Sequence, residues 1–230
     1  MRQLLSIGIF MLFGASFAQT HDNTMLLSDA LVNSGLKYQQ ECSKAMLYND
    51  MERVNFLFDS ITNIYLKGTY FDDFEIKKFS GKEISLRKFD KPVMLITLTT
   101  WHLLTEGEVR AINELANKYH KDIEFVVLYW GNKRAAKKAS KIFNSHLKFT
   151  YFDERDNKGA YIVGKIKHIF GFPTFFFLNS DMSIISIDRG GLKKPFYTEQ
   201  DLVYEANFNK HFSFIKELLV NVKNTGVVTN

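Results

Sequence analysis

Residues 91–108 read KPVMLITLTTWHLLTEGE, and this passage decides the fold. Val93-Met94-Leu95-Ile96-Thr97-Leu98 is an almost continuous apolar run of strand length, entered through Lys91-Pro92. A run without apolar–polar alternation suits a central strand covered on both faces. After Trp101 the period changes. From about Leu104 to His120 the residues Val109, Ile112, Leu115, Ala116 and Tyr119 fall on one side of a predicted helix. Ile123 to Tyr129 then reads as a second central strand. Buried strand, helix, buried strand is the grammar of an α/β layer structure, not of an all-β protein or a helical bundle.

Upstream, Phe74-Glu75-Ile76 and Ile84-Ser85-Leu86 alternate like short strands on either side of a turn at Ser80-Gly81-Lys82. Residues 19–67 form a separate segment, helical over 25–66, with a break predicted at Asn33-Ser34-Gly35 and a stop at Gly68. Leu47, Met51, Val54, Phe58, Ile61 and Tyr65 make an apolar stripe at three- and four-residue spacing, which must bury against something. Downstream, a lysine-rich helix is expected from about Lys133 to Ser145 and a shorter one over Lys158 to Lys165. Phe175 to Leu178, a turn at Asn179-Ser180-Asp181 and Ser183 to Ile187 predict a hairpin. A last helix follows over roughly Phe208 to Val222, and 223–230 is a polar tail.

A chain of 230 residues that is 46% hydrophobic can build one ordinary domain and an appendage. Phe outnumbers Tyr and Trp together, so the core is expected to be built on phenylalanine. The first 18 residues carry Arg2, an apolar run from Leu4 to Phe13 and the small pair Ser16 and Ala18, the layout of a signal peptide cut before Gln19. The competing reading is a short anchor or a buried first helix. No later segment is long and apolar enough to span a bilayer. The mature protein is therefore expected outside the cytoplasm, most simply in a periplasm. Arg2 is the only charge in residues 1–18, so export leaves a mild positive excess that does not argue for nucleic acid. The lysine-rich helix reads first as a solvated face and second as a patch for an anionic partner. Cys42 is the only cysteine, so no internal disulfide can form. Its thiol is either a small buried hydrophobe or open to intermolecular pairing, in a homodimer for instance.

Three segments, in order, resemble one family. Asp73 through Leu86, DFEIKKFSGKEISL, resembles the lead-in strands of exported thioredoxin-like proteins of the TlpA type (redoxins). KPVMLITLTTW resembles their first central strand, which ends at a tryptophan just before the Cys-x-x-Cys. Gly171-Phe172-Pro173-Thr174 resembles their cis-proline loop. The resemblance implies a thioredoxin-like mixed sheet flanked by helices over residues 68–222, with the helical segment as an N-terminal extension. It places Trp101 on the family tryptophan, His102 and Thr105 on the two cysteines with Leu103 and Leu104 between, and Glu108 on a family glutamate.

The reactive pair is thus replaced. Thiol–disulfide exchange needs a thiolate to attack and a second thiol to resolve the mixed disulfide, and neither imidazole nor a threonine hydroxyl can do either. His102, expected at a helix start, could act as a base, a metal ligand or a pH-sensitive contact, or simply fill the vacated site. No second ligand stands at metal spacing to it, so neither metal nor cofactor is expected. The other histidines are scattered, and no phosphate-cradling glycine loop or nucleophile elbow occurs. A peroxidase-like relative is disfavoured because residues 97–105 hold no cysteine. The resemblance to the cis-proline loop implies either a retained peptide-binding groove or a proline kept for folding geometry. Two functions remain: a non-catalytic module that binds a peptide or protein, or residual, partner-dependent thiol chemistry through Cys42.

Overall fold

The structure is a computed structural model and describes residues 24–153, 169–190 and 199–226. Helices α1 (Leu27–Leu47) and α2 (Met51–Ser60), the second running into a π-helical turn at Ile61–Leu66, precede β1 (Glu75–Lys78) and β2 (Glu83–Ser85). Then follow β3 (Val93–Thr99), α3 (Glu106–Tyr119), β4 (Glu124–Trp130), α4 (Lys133–Ala139) and β5 (Leu147–Phe152). β6 (Thr174–Leu178), β7 (Ile184–Arg189) and α5 (Gln200–Gly226) complete the described chain. The strands form one seven-stranded mixed sheet in the order β2-β1-β5-β4-β3-β6-β7.

β3 is buried at all seven positions. It pairs parallel with β4 from Val93↔Glu124 to Thr99↔Trp130, and antiparallel with β6 from Val93↔Leu178 to Thr97↔Thr174. Because side chains alternate across a strand, β3 feeds both layers of core. Val93 and Leu95 face a cluster with Val126, Phe176 and, from the N-terminal helices, Leu27, Tyr38, Phe58 and Leu66. Met94, Ile96 and Leu98 face the other, with Ile112 and Leu115 of α3 and Ile215 and Leu218 of α5. The core is phenylalanine-rich as expected. Phe176 packs edge-on to Phe71 and Phe170, with ring centroids 5.1 and 5.8 Å apart.

Several expectations need correction. α1 does not break at Asn33-Ser34-Gly35. Ser34 donates its hydroxyl to the Ala30 carbonyl at 2.7 Å instead of competing for the backbone, and Gly35 lets the helix approach Ile169. The break comes at Asn49, which takes a positive φ of 55°, and Asp50, which caps α2 by accepting from the Arg53 amide. Of the predicted stripe, Val54, Phe58 and Ile61 are buried, but Leu47 and Tyr65 are 85% and 54% exposed. Leu47 belongs to the preceding helix, and the π-turn shifts the phase so that Leu66, not Tyr65, points inward. The stripe buries against the sheet of its own chain, which removes it as a sign of a partner.

The lysine-rich helix is shorter than expected. α4 ends at Ala139, a 3₁₀ turn covers Ser140–Ile142, and after residues 143–146 comes β5, a strand the sequence did not announce. β5 mixes Lys148 and Thr150 into an apolar run. Thr150 is fully buried only because its hydroxyl donates to the Val127 carbonyl at 3.0 Å. α5 begins at Gln200, well before Phe208. The expected helix over 158–165 lies outside the described residues.

α5 is tied to β7 through the buried Asp188 carboxylate, which both His211 and the half-exposed Lys210 meet. His211 and Asp188 are 1% and 4% exposed, with Nε2 3.0 Å from Oδ2. Lys210 donates to the other carboxylate oxygen. Burial alone would raise the Asp188 pKa, but the bonds and charges of His211 and Lys210 outweigh it and hold the carboxyl below its usual range. A depressed carboxyl stabilises the fold above its unfolded pKa and loses that contribution as pH falls through the folded one. Asp188→Asn should therefore cost about 3 kcal/mol at neutral pH. In urea titrations the deficit should narrow as pH drops below about 3.9.

Candidate functional site

β3 and β4 are parallel and β6 is antiparallel to β3, so the exits of the first two strands and the entry to β6 meet at one end of the sheet. Beyond Thr99 the chain turns outward. The Thr100 amide donates to the Trp130 carbonyl at 3.2 Å and the His102 amide to the Thr99 carbonyl at 3.3 Å. Trp101 and Leu103 then stand 76% and 88% exposed, with half-buried His102 between them. Leu104 packs back on the core between α3 and α5.

α3 starts later than the sequence suggested. Thr105 is its N-cap, with extended backbone (φ −70°, ψ 161°), so His102 lies three residues outside the helix rather than at its start. The cause is a reciprocal capping box. The Thr105 hydroxyl accepts from the Glu108 amide at 3.3 Å, while the Glu108 carboxylate accepts from the Thr105 amide at 2.7 Å and hydroxyl at 2.9 Å. Thr105 and Glu108 thus serve the helix terminus, where the carboxylate also meets the positive end of the helix dipole. The Thr-x-x-Glu spacing at 105–108 was a legible signal for this cap. Gly107 was not singled out, yet a side chain there would come within 2.4 Å of the Gln200 carbonyl, so it sets how closely α3 meets α5.

The facing loop carries Gly171, Phe172 and Pro173. The Phe172–Pro173 peptide bond is cis. The loop is tied down by the Thr174 hydroxyl donating to Gly171 at 3.0 Å, the Thr97 hydroxyl donating to Thr174 at 3.1 Å, and the Gly190 amide donating to Pro173 at 3.1 Å. Pro173 itself is buried, while Phe172 is half-buried with its ring centroid 6.1 Å from that of Trp130 at the end of β4. The structure therefore brings the loop 101–105 and the loop 171–173 to the same end of the sheet. It does not bring Cys42 there. Cys42 lies on α1, buried beside Tyr38, and burial pushes its thiol pKa up.

No group of three or more His, Cys, Asp or Glu side chains among the described residues could hold a metal ion. Two histidine pairings escaped the sequence. His211 meets Asp188, and His120 stacks on His146 with centroids 3.9 Å apart, at the C-terminal end of α3 rather than near His102.

No protein-family model and no curated protein sequence matches the chain. Solved structures do. The thioredoxin domain of a thiol-disulfide oxidoreductase from Bacteroides vulgatus is 15% identical, with 64% of this chain and 96% of that one covered at a TM-score of 0.49. A putative thiol:disulfide interchange protein DsbE from Chlorobium tepidum is 18% identical, covering 66% and 97% at 0.49. A thio-disulfide isomerase from Thermus thermophilus is 15% identical, covering 55% and 88% at 0.45.

The capping box makes a direct prediction. Thr105→Val should lower stability by about 1 kcal/mol in urea unfolding. Amide exchange should rise selectively at Glu106 to Glu108. From the order of its strands, the parallel and antiparallel partners of β3 and the proline loop beside the end of that strand, the chain has a thioredoxin-like fold.

Proposed function

We propose that this is an exported thioredoxin-fold protein that binds an extended peptide or protein segment at the C-terminal end of β3 and turns over no dithiol. The observation that carries the proposal is the exposure of Trp101 and Leu103 in one short loop, at 76% and 88%. Single exposed apolar residues are ordinary, but two large ones within three residues of one loop, at the same end of the sheet as the half-buried Phe172 and Trp130, are what an anchor for a partner requires.

The chemistry of the loop supports the second half of the proposal. Positions 102 and 105 hold His and Thr, and Thr105 is committed to the helix cap. Neither side chain can form or resolve a mixed disulfide. The competing reading, thiol chemistry through Cys42, is opposed by the burial of that side chain and the upward push on its pKa, which reduces the reactive thiolate. Export through residues 1–18 belongs to the same proposal. It accords with the lack, among the described residues, of any helix long and apolar enough to cross a membrane.

Two measurements test the proposal. Insulin reduction by dithiothreitol should run at the uncatalysed rate with the protein present. An acceleration that disappears in Cys42→Ala would replace this reading with the thiol one. Binding of an unfolded, cysteine-free polypeptide, followed by tryptophan fluorescence, should weaken at least tenfold in Trp101→Ser and in Leu103→Asp. Unchanged affinity in both variants would remove the patch as the binding surface.

A further inference from the structure

A second site, independent of the β3 end, lies on the edge of the sheet. β7 is the last strand in the order, so no strand of the described residues borders its outer side. The beginning of that edge is covered, since the Ile184 amide donates to Thr69 and the Gly68 amide to Ile184. Farther along, the edge opens on a cleft of about 460 Å³ between α2 and α5. Asn55, Phe58 and Asp59 line it from α2, Asp188 and Arg189 from β7, and Lys210 from α5. None of Trp101 to Thr105, Phe172 or Pro173 takes part. The volume is that of a small-ligand site.

The charges in the cleft are not equally spoken for. The Asp188 carboxylate is occupied on both oxygens, by His211 and Lys210. Arg189 is not matched in this way. Its guanidinium sits 4.7 Å over the centroid of the Phe58 ring, and one Nη donates to the Asn55 side-chain oxygen at a long 3.4 Å. Among the described residues its buried Nε has no acceptor and no carboxylate lies within ion-pair distance of the guanidinium. A buried donor without an acceptor is costly, more so on a charged group, so a guanidinium held by a ring and one long hydrogen bond is poised for an anionic partner. Its fork of N–H groups fits a carboxylate with two parallel bonds.

We infer that this cleft binds a small α-amino carboxylate, a free amino acid or the end of a short peptide, with the carboxylate on Arg189 and the amino group toward Asp59. Among the described residues the Arg189 guanidinium has no carboxylate partner, which calls for a ligand of one negative charge. A dianion would meet the Asp59 and Asp188 carboxylates. Asp59 is exposed at the rim, where it can accept from an ammonium without itself being desolvated.

Calorimetric titration of the full mature chain tests the inference with L-alanine, L-alanyl-L-alanine, L-alaninamide and inorganic phosphate as probes. Saturable binding is expected for alanine, the dipeptide or both, and the tighter of the two tells a free amino acid from a peptide terminus. Alaninamide, which lacks the carboxylate, and phosphate should bind at least tenfold more weakly. Arg189→Gln should abolish the binding. In case that variant unfolds, Asp59→Asn alters only an exposed side chain and should weaken alanine several-fold while leaving N-acetylalanine unaffected. Trp101→Ser should leave all of these affinities unchanged. The inference is overturned if neither alanine nor its dipeptide binds, if alaninamide or phosphate binds as well as they do, or if a folded Arg189→Gln protein keeps its affinity.

Discussion

The molecule hangs on one constraint, the complete burial of β3. A strand with all seven residues out of water must have both backbone edges hydrogen-bonded, because an unmade buried amide or carbonyl is too costly to keep. β4 supplies one edge and β6 the other, in opposite senses. From that follow a parallel return through α3, a hairpin on the far side, and helices on both faces. It also follows that the loops after β3 and before β6 share one end of the sheet. The position of the candidate site is thus a consequence of how a central strand is satisfied, whatever residues the loops carry.

What the loops carry decides the chemistry. In this chain the first turn of α3 is organised by the Thr105–Glu108 box, and ahead of it Trp101 and Leu103 project into solvent. A helix terminus can favour a thiolate placed upon it. Here that terminus is occupied by a hydroxyl and a carboxylate that satisfy its own amides. The surface presented outward is apolar, with Trp101 and Leu103, and the only thiol is buried on another element. The proposed binding of a segment of another chain rests on that exposure.

Much of the fold was legible in the sequence where one physical signal dominated. The continuous apolar runs at Val93 and Ile123 marked central strands, the turns at Ser80-Gly81-Lys82 and Asn179-Ser180-Asp181 marked the hairpins, and the helical period marked α3. The failures have specific causes. β5 was missed because a buried threonine bonded to the neighbouring strand breaks the hydrophobic pattern. The α1 break was misplaced because Ser34 and Gly35 serve the helix and its packing. The stripe in α2 lost its phase at a π-turn, for which the spacing gives no warning. At the site, Trp101, His102, Thr105, Glu108 and Pro173 were identified from sequence. The cap role of Thr105 and the distance of His102 from the helix were not, although the Thr-x-x-Glu pattern carried the first. Arg189 and Asp188 depend on contacts between elements far apart in the chain, and no local pattern could have paired them.

The most direct measurement is a backbone amide shift map of the ¹⁵N-labelled protein titrated with an unfolded, cysteine-free peptide. The predicted result is saturable perturbation concentrated at Trp101 to Thr105 and Gly171 to Thr174, with the amides of α1 around Cys42 unmoved. Perturbations that avoid both loops, or none at peptide excess, would contradict the assignment of a binding surface to the end of β3.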